Sequence, residues 1–221
     1  MPNILGHGVY SFSEAARLTR LKPSRIREWF RGRGDGSARK PVFAGDYLPI
    51  ENDHAISFLD LIDVFVAGQL REHGVSLQTL RRVYERMRRD LQTPHPFCRR
   101  ELLSDGKEVF MRSVDAEGRE ELTEVLNRQR VFPQILLPFL QKIDYDKATI
   151  LARRWRIAKM VVVDPAICFG EPIVEAAGVP TKILAAAYYA NARDEARVAD
   201  WYNVHTDHVL AAVTFEDNMA A

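Results

Sequence analysis

Cysteine is scarce in this chain of 221 residues, which contains only Cys98 and Cys168. Two isolated thiols supply neither the ligand set of a structural zinc site nor the framework of a disulfide-rich domain. The sequence also has no apolar run of the roughly 18 residues that a membrane helix requires, and its start lacks the layout of a signal peptide. We therefore expect a cytoplasmic protein without a membrane segment, a disulfide or a metal.

Recognisable catalytic motifs are missing as well. No Ser/His/Asp or Cys/His nucleophile signature is present, and the glycine-rich stretch 32–36 lacks the Lys-Ser/Thr pair of a P-loop. His205 and His208, with Asp207 between them, suggest a metal site, but a hydrolytic site needs at least three converging ligands and a base. We expect no enzymatic activity and no cofactor, and a metal-dependent nuclease is the weakest alternative.

Charge is distributed unevenly along the sequence, although the formal net charge is only +1. Residues 1–40 contain nine Lys or Arg against three Asp or Glu, a net of +6. Residues 160–221 contain nine acidic and three basic residues, a net of −6. A basic segment favours a polyanion, whereas phosphates repel carboxylates. The sequence therefore predicts a nucleic-acid contact near its start and a protein partner near its end.

The segment 11–33 predicts two short helices joined by a tight turn. Ser11 and Glu14 have the spacing of a capping box, and Pro23 suits the first position of a second helix. The second helix places three apolar residues on one face, namely Ile26, Trp29 and Phe30. A basic outward face on the second helix favours a helix-turn-helix over the alternative, an ordinary helical hairpin with a solvated basic face.

This helix-turn-helix predicts a set of DNA contacts. We expect the second helix to enter the major groove, with base-facing residues Ser24, Arg25, Arg27 and Glu28. The predicted phosphate contacts are Arg31, Arg33, Arg39 and Lys40. Two short apolar pieces, 42–43 and 47–50, are separated by Gly45-Asp46 and predict a small wing hairpin.

The opening of the chain resembles the N-terminal half of a MerR-type winged helix-turn-helix. The matching residues are Tyr10-Ser11-x-x-Glu14-x-x-x-Leu18 and Pro23-x-x-Ile26-Arg27-x-Trp29. The chain departs from that family at Arg20, where a glycine is usual, and at Lys22, where a small capping residue is usual. The resemblance implies a DNA-binding regulator of transcription.

Two longer helices are predicted after the wing, beginning at the capping residues Ser57 and Ser76. The second has an apolar seam formed by Leu77, Leu80, Tyr84, Met87 and Leu91. In MerR-like proteins the helix at this place commonly pairs with a second copy, which implies a homodimer. The seam is short for a coiled coil, so packing within one chain remains the alternative. Residues 1–92 form the predicted DNA-binding domain.

Residues 93–158 are predicted to be a connector. Asp105-Gly106 lies between apolar arms in the stretch 102–110 and predicts a hairpin, and Asp115 is the predicted cap of a helix. The stretch carries no recognisable chemistry.

Residues 159–221 predict a compact C-terminal domain. Two short apolar arms, 160–163 and 171–174, predict a pair of strands. Thr181, Asp194 and Thr206 are the predicted caps of three helices. The expected fold is therefore mainly α with small β-hairpins: a winged helix-turn-helix, a connector, and a three-helix bundle with a strand pair.

The last 60 or so residues resemble the small C-terminal domain of VapB-like antitoxins. The matching residues are Val163-Asp164-Pro165, Phe169-Gly170-x-Pro172-Ile173-Val174, Val179-Pro180-Thr181, Ala199-x-x-Tyr202 and Val209-x-x-Ala212. The chain departs at Ala176-Ala177-Gly178, where the family usually has Gly-Thr-Arg. The resemblance implies a type II antitoxin that represses its own operon and neutralises a PIN-like ribonuclease toxin.

Partner-binding candidates follow from the acidic and aromatic end of the chain. The predicted residues are Tyr189, Phe215, Glu216 and Asp217. Aromatic side chains supply much of the binding energy at protein interfaces. The alternative function is a MerR-type transcription regulator without a toxin partner.

Overall fold

The computed structural model describes residues 5–32, 41–49, 54–114, 116–123 and 132–220. The structure is mainly helical and contains two small β-sheets. It divides into an N-terminal unit, residues 10–152, and a C-terminal unit made of the residues from Arg153 onward and the residues up to Val9. Most of the predicted connector therefore belongs to the N-terminal unit. Within the described ranges no helix is sufficiently long and apolar to cross a membrane.

The N-terminal unit begins with a strand that leads directly into two short helices. Its elements are β1 (Tyr10–Ser11), α1 (Phe12–Thr19), α2 (Pro23–Arg31), β2 (Ala55–Ile56), α3 (Phe58–Glu72), α4 (Leu77–Asp90), a 3-10 turn (Pro96–Cys98), α5 (Leu102–Arg112), α6 (Ala116–Thr123), a π-helical turn (Phe132–Leu136), α7 (Leu137–Leu140) and β3 (Ile143–Tyr145). β1 pairs with β2 in antiparallel register, with Tyr10 opposite Ile56.

Three predicted helix starts in this unit are confirmed. Ser11 and Ser57 each form a complete capping box, with Glu14 and Asp60 respectively. Ser76 accepts a hydrogen bond from the Thr79 amide at 3.1 Å. These caps depend only on residues three positions apart, which is why the sequence predicts them correctly.

The predicted wing hairpin does not form in residues 41–49, which contain no strand; Ile50 lies outside the described residues. Instead, the amides of Val42 and Phe43 both donate to the Trp29 carbonyl, at 2.7 Å and 3.1 Å. Phe43 is 1% exposed. This segment therefore has no regular secondary structure and packs against α2 and the core.

The predicted hairpin at 102–110 is wrong, because these residues belong to helix α5. Its apolar positions have helical spacing, with Leu102, Gly106, Val109 and Phe110 all buried. A Cβ atom at Gly106 would lie 2.5 Å from the Phe132 ring. The glycine that suggested a turn is therefore a point of close packing. Asp115 lies outside the described residues.

The centre of the apolar seam of α4 is buried inside the chain. Leu80, Tyr84 and Met87 are each at most 2% exposed, and the helix packs on α3, on the 3-10 turn and on α5. The burial of these three residues supports the alternative of packing within one chain, whereas Leu77 and Leu91 at the ends of the seam are half-buried.

The C-terminal unit combines an antiparallel sheet with three helices. Its elements are β4 (Ala152–Ala158), β5 (Val161–Val163), a 3-10 turn (Cys168–Gly170), β6 (Pro172–Val174), β7 (Val179–Pro180), α8 (Thr181–Ala190), α9 (Glu195–Tyr202) and α10 (Thr206–Ala220). The predicted strand pair is confirmed, with Val162 opposite Ile173. The core of the helices contains Val174, Leu184, Ala185, Val198, Ala199, Val209, Ala212 and Val213.

The predicted caps of these helices have different outcomes. Asp194 is the cap of α9 and accepts from the Arg197 amide at 3.0 Å. Thr181 is instead the first residue of α8, and Pro180 at the cap position provides no side-chain hydrogen bond. The buried Thr181 hydroxyl donates to the Glu216 carboxylate of α10, so it joins two helices. Thr206 likewise begins α10.

The turn between α1 and α2 yields a stability prediction. Arg20 has a left-handed backbone, with φ 58° and ψ 32°, a conformation that costs a non-glycine residue about 1 kcal/mol or more. We expect Arg20→Gly to raise the free energy of unfolding by up to about 1 kcal/mol. The matched control Arg27→Gly, inside α2, should lower it by about 1 kcal/mol. Urea denaturation measures both, and a loss of stability in Arg20→Gly would contradict the assigned turn.

Candidate nucleic-acid interface and partner surface

The first two helices, α1 and α2, are joined by a tight turn. Arg20 closes α1 by donating its amide to the Ala16 carbonyl, and the Leu21 amide donates to the same carbonyl at 3.0 Å. Pro23 then occupies the first position of α2, as predicted. Leu21 is buried against α3, where Gly68 leaves no room for a side chain: a Cβ there would lie 2.6 Å from Leu21. The turn is thereby fixed against the core.

An aromatic chain holds the inner face of α2. Trp29 packs edge-on against Phe43 with ring centroids 5.9 Å apart, and Phe43 packs against Tyr84 of α4 at 4.9 Å. Ile26 is completely buried. The predicted inner face is thus confirmed, and the opposite face of α2 points outward.

The outward face of α2 carries the predicted base contacts. Ser24 and Arg27 are exposed, whereas Arg25 and Glu28 are half-buried. Arg25 lies 3.6 Å from Glu72 of α3, so part of its charge is already balanced. Arg31 is exposed at the end of the helix. Arg33, Arg39 and Lys40 lie outside the described residues.

A buried ionic network, which sequence reasoning missed, lies beneath this arrangement. The imidazole of His95 is hydrogen-bonded on both nitrogens, through Nδ1 to Asp63 at 2.9 Å and through Nε2 to Asp46 at 3.0 Å. Tyr84 donates its hydroxyl to Asp63 at 2.7 Å, and the Phe97 amide donates to the same carboxylate at 3.1 Å. His95 and Asp63 have side chains only 5% and 0% exposed.

The electrostatics of this network favour a charged imidazole, although burial also raises the pKa of Asp63. Burial opposes a charged imidazole, but the hydrogen bonds and negative charge of Asp46 and Asp63 outweigh it and raise the pKa of His95 to about 10. Burial also raises the pKa of the nearby Asp60 to about 6. The imidazolium donates to a carboxylate on each side, which is the arrangement in which a buried charge is tolerated.

Metal-compatible residues in the described ranges come together at Asp46, Asp60 and His95, whose ligand atoms lie within 4.8 Å of one another. The hydrogen bonds above already use both His95 nitrogens, so we interpret the cluster as structural. At the start of α10 His205 is exposed and His208 is half-buried, and the His205 amide donates to Nδ1 of His208 at 3.2 Å. That pair joins no third ligand among the described residues.

The predicted partner residues of the C-terminal unit differ in accessibility. Phe215 is 4% exposed and belongs to the interior, so its predicted role as an exposed anchor is wrong. Tyr189 is 45% exposed, and its hydroxyl donates to Asp217 at 2.6 Å. Glu216 is half-buried and accepts from Thr181. Tyr189 and Asp217 therefore remain as surface candidates.

Sequence reasoning missed a larger exposed aromatic in this unit. Trp201 of α9 is 54% exposed, and the Arg197 guanidinium lies 5.0 Å from the centre of its ring. Its neighbour Tyr202 is 36% exposed. Aromatic residues are enriched in the cores of protein interfaces, so a tryptophan with this much solvent exposure is a candidate contact residue.

The charge contrast between the two ends is weaker in the folded units than in the sequence. The C-terminal unit also includes Arg153, Arg154, Arg156 and Lys159. With these residues it contains seven basic and nine acidic side chains, a net of −2, and the remaining chain has +3. Arg154 also pairs with Glu175 at 3.0 Å. Overall acidity therefore contributes less to partner choice than the sequence suggests.

Three comparisons with known proteins agree with parts of this description. Residues 161–215 match the family described as "Protein of unknown function (DUF433)". Over 223 residues, 93% of this chain and 92% of the relative, the sequence is 25% identical to "Putative antitoxin VapB45" of Mycobacterium tuberculosis (strain ATCC 25618 / H37Rv). The fold is similar to the X-ray crystal structure of Rv2018 from Mycobacterium tuberculosis, with a TM-score of 0.71 and 22% identity over 92% of this chain and 96% of that chain.

The buried network yields a pH prediction. The pKa of His95 is about 10 in the folded chain against an ordinary 6.5, so the proton stabilises the fold fully below pH 6.5, and that contribution is lost as the pH rises through 10. We expect the free energy of unfolding to fall between pH 7 and 10, by at most about 1.4 kcal/mol per pH unit.

The variant His95→Gln tests this assignment. It should lose about 3–5 kcal/mol at pH 7, because the buried carboxylates lose their cation, and its stability should lack the wild-type decline above pH 7. The exposed His205→Gln is the matched control and should behave as wild type. Urea denaturation at four pH values measures all three proteins, and an equal decline in His95→Gln would refute the assignment.

Proposed function

We propose that this chain is a DNA-binding antitoxin that neutralises a toxin and represses its own operon. The observation that carries the proposal is the match along 93% of the chain to a relative whose printed name is that of an antitoxin. The family match in the C-terminal unit and the helix-turn-helix arrangement of α1 and α2 support it. The proposed role is non-enzymatic.

DNA binding is assigned to the outward face of α2. The helix is fixed from behind by Ile26 and Trp29, so its outer side chains enter a groove without a large loss of order. Arg27 is the central contact because it is exposed and lies between Ser24 and Arg31 on the same side. The proposed operator is an inverted repeat read by two copies, with half-sites about one or two helical turns apart. Because the centre of the α4 seam is buried, the copies meet through another surface.

Neutralising the arginines of α2 tests the DNA interface. We expect the triple variant Arg25→Gln, Arg27→Gln and Arg31→Gln to weaken operator binding and to reduce the slope of log K against log salt by about 0.9 or more, because Arg31 is the phosphate contact among the three. Fluorescence anisotropy at several salt concentrations measures this. Arg153→Gln, Arg156→Gln and Arg193→Gln together remove the same charge from the C-terminal unit and should leave the slope unchanged. Equal slopes in wild type and the α2 variant would refute the interface.

Toxin binding is assigned to the exposed aromatics of the C-terminal unit. Trp201 offers the larger apolar area, and Arg197 against its ring restricts it before a partner arrives. Tyr189 is similarly restrained by Asp217 and lies 5.8 Å from the Arg193 guanidinium. Ordered aromatic side chains of this kind lose little entropy on binding and commonly dominate the affinity. The proposed partner is a PIN-like ribonuclease.

Truncating Trp201 tests the toxin surface. With the protein encoded by the adjacent open reading frame as partner, we expect Trp201→Ala to raise the dissociation constant about 30-fold or more, equivalent to about 2 kcal/mol. Leu48→Ala removes an 82% exposed apolar side chain from the N-terminal unit and is the control. Calorimetric titration of the purified proteins measures both, and unchanged affinity in Trp201→Ala would refute this surface.

Co-expression distinguishes the proposal from a MerR-type transcription regulator without a toxin. An antitoxin should purify with the neighbouring gene product, and the pair should bind the operator on size exclusion. If operator binding persists while no neighbouring product binds, the regulator without a toxin is the correct function.

A further inference from the structure

A depression in the N-terminal unit is lined by arginines from two helices. Its volume is about 340 Å³, and its lining comprises Arg82, Glu85, Arg86 and Arg89 of α4, Arg112 at the end of α5, and then Ser113 and Val114. Among these lining residues Glu85 is the single carboxylate. An adjoining depression of about 380 Å³ shares Glu85 and Arg89 and adds Arg88 and Thr93. The arginine depression therefore concentrates positive charge on one surface.

The spacing of these arginines places several positive charges close together. Arg82 and Arg86 are four residues apart, and Arg86 and Arg89 are three apart, so their side chains are neighbours on one helix face. Asp90 offsets part of this charge through a 2.8 Å ion pair with Arg86. Arg112 adds a further cation from a different helix. An anion placed among these groups relieves their mutual repulsion.

Guanidinium chemistry indicates what kind of anion fits. The planar fork of arginine matches phosphate in a bidentate manner, and arginine is preferred over lysine where this geometry is used. Arg82 and Arg89 are seven residues apart, roughly 10.5 Å along the helix axis at about 1.5 Å per residue. That span exceeds a single phosphate ion, so the ligand has several linked phosphoryl groups.

The position of the arginine depression separates it from the proposed DNA interface. Leu80, Tyr84 and Met87 form the inner face of α4 and are buried. Tyr84 packs on Phe43, which packs on Trp29 of α2. The depression lies on the opposite side of α4, because its arginines alternate with these buried positions in the helical repeat. A duplex held by α2 is thus on the other side of α4.

We propose that the arginine depression binds a small oligophosphate, independently of DNA and of the toxin. The ligand class comprises chains of three or more phosphoryl groups, whether inorganic or attached to a nucleoside. Its charge is complementary to the arginines of α4 and α5, and its linked phosphoryl groups can contact more than one of them.

Calorimetric titration of the full chain with sodium tripolyphosphate tests the site. We expect saturable binding that the double variant Arg89→Gln and Arg112→Gln weakens at least tenfold, because both helices lose a phosphate contact. The control, Arg153→Gln with Arg156→Gln, removes the same charge elsewhere and should bind as wild type. ATP at the same ionic strength should bind if the nucleoside is tolerated, whereas sulfate should not compete.

Three outcomes would overturn the proposal. The first is equal weakening in the control, and the second is full competition by sulfate at matched ionic strength; both would show general charge attraction. The third is a depression variant that binds tripolyphosphate normally but loses operator affinity, which would assign the surface to DNA. Failure of the α2 variants to alter operator binding would refute the DNA interface alone and leave the oligophosphate site intact.

Discussion

A protonated histidine held between two carboxylates is the interaction on which the N-terminal unit depends. Asp46 comes from the segment after α2, Asp63 from α3, and His95 from the turn after α4, so one imidazolium ties three separate parts of the chain. The hydroxyl of Tyr84 adds α4 to the same cluster. A buried charge is costly unless every partner is present. Separating these segments would leave buried charges unpaired, so the network favours the arrangement in which they meet.

The position of the proposed reading helix follows from this network. Asp46 holds the segment that contains Phe43, and the Phe43 ring lies between Trp29 of α2 and Tyr84 of α4. The segment that the sequence predicts to be a wing thus packs against the inner face of α2 and supports it. Rigid support of this kind lets exposed side chains meet a duplex at little entropic cost.

Local signals in the sequence predict local structure well, and the failures concern contacts between distant residues. The capping boxes at Ser11 and Ser57 need only a four-residue window. Gly106 has the local sequence of a turn residue, but the structure shows that it is a glycine because the Phe132 ring, 26 positions later, packs against it. The pairing of Asp46 with His95 spans 49 positions and has no periodic signature. The sequence offers one indication of this network, namely that two acidic residues, Asp60 and Asp63, lie on the apolar face of α3.

The surface candidates show the same limitation. The sequence predicts Phe215 as a partner-binding residue, but helical periodicity along α10 places it in the interior with Val209, Ala212 and Val213. Trp201, in contrast, is exposed, because its helix of eight residues is too short to bury every apolar side chain. The charge contrast also shrinks, because the basic strand β4 folds with the acidic helices.

Connectivity between the two units has a consequence for dissecting the protein genetically. The Val9 amide donates to the Phe169 carbonyl at 2.9 Å, so the first residues fold with the last 69 residues of the chain. The N-terminal unit is in this sense an insertion, and it can be cloned as one continuous fragment. The other unit cannot, because any fragment that starts after the insertion lacks a piece of its own structure, and a functional excision requires a designed linker in place of residues 10–152.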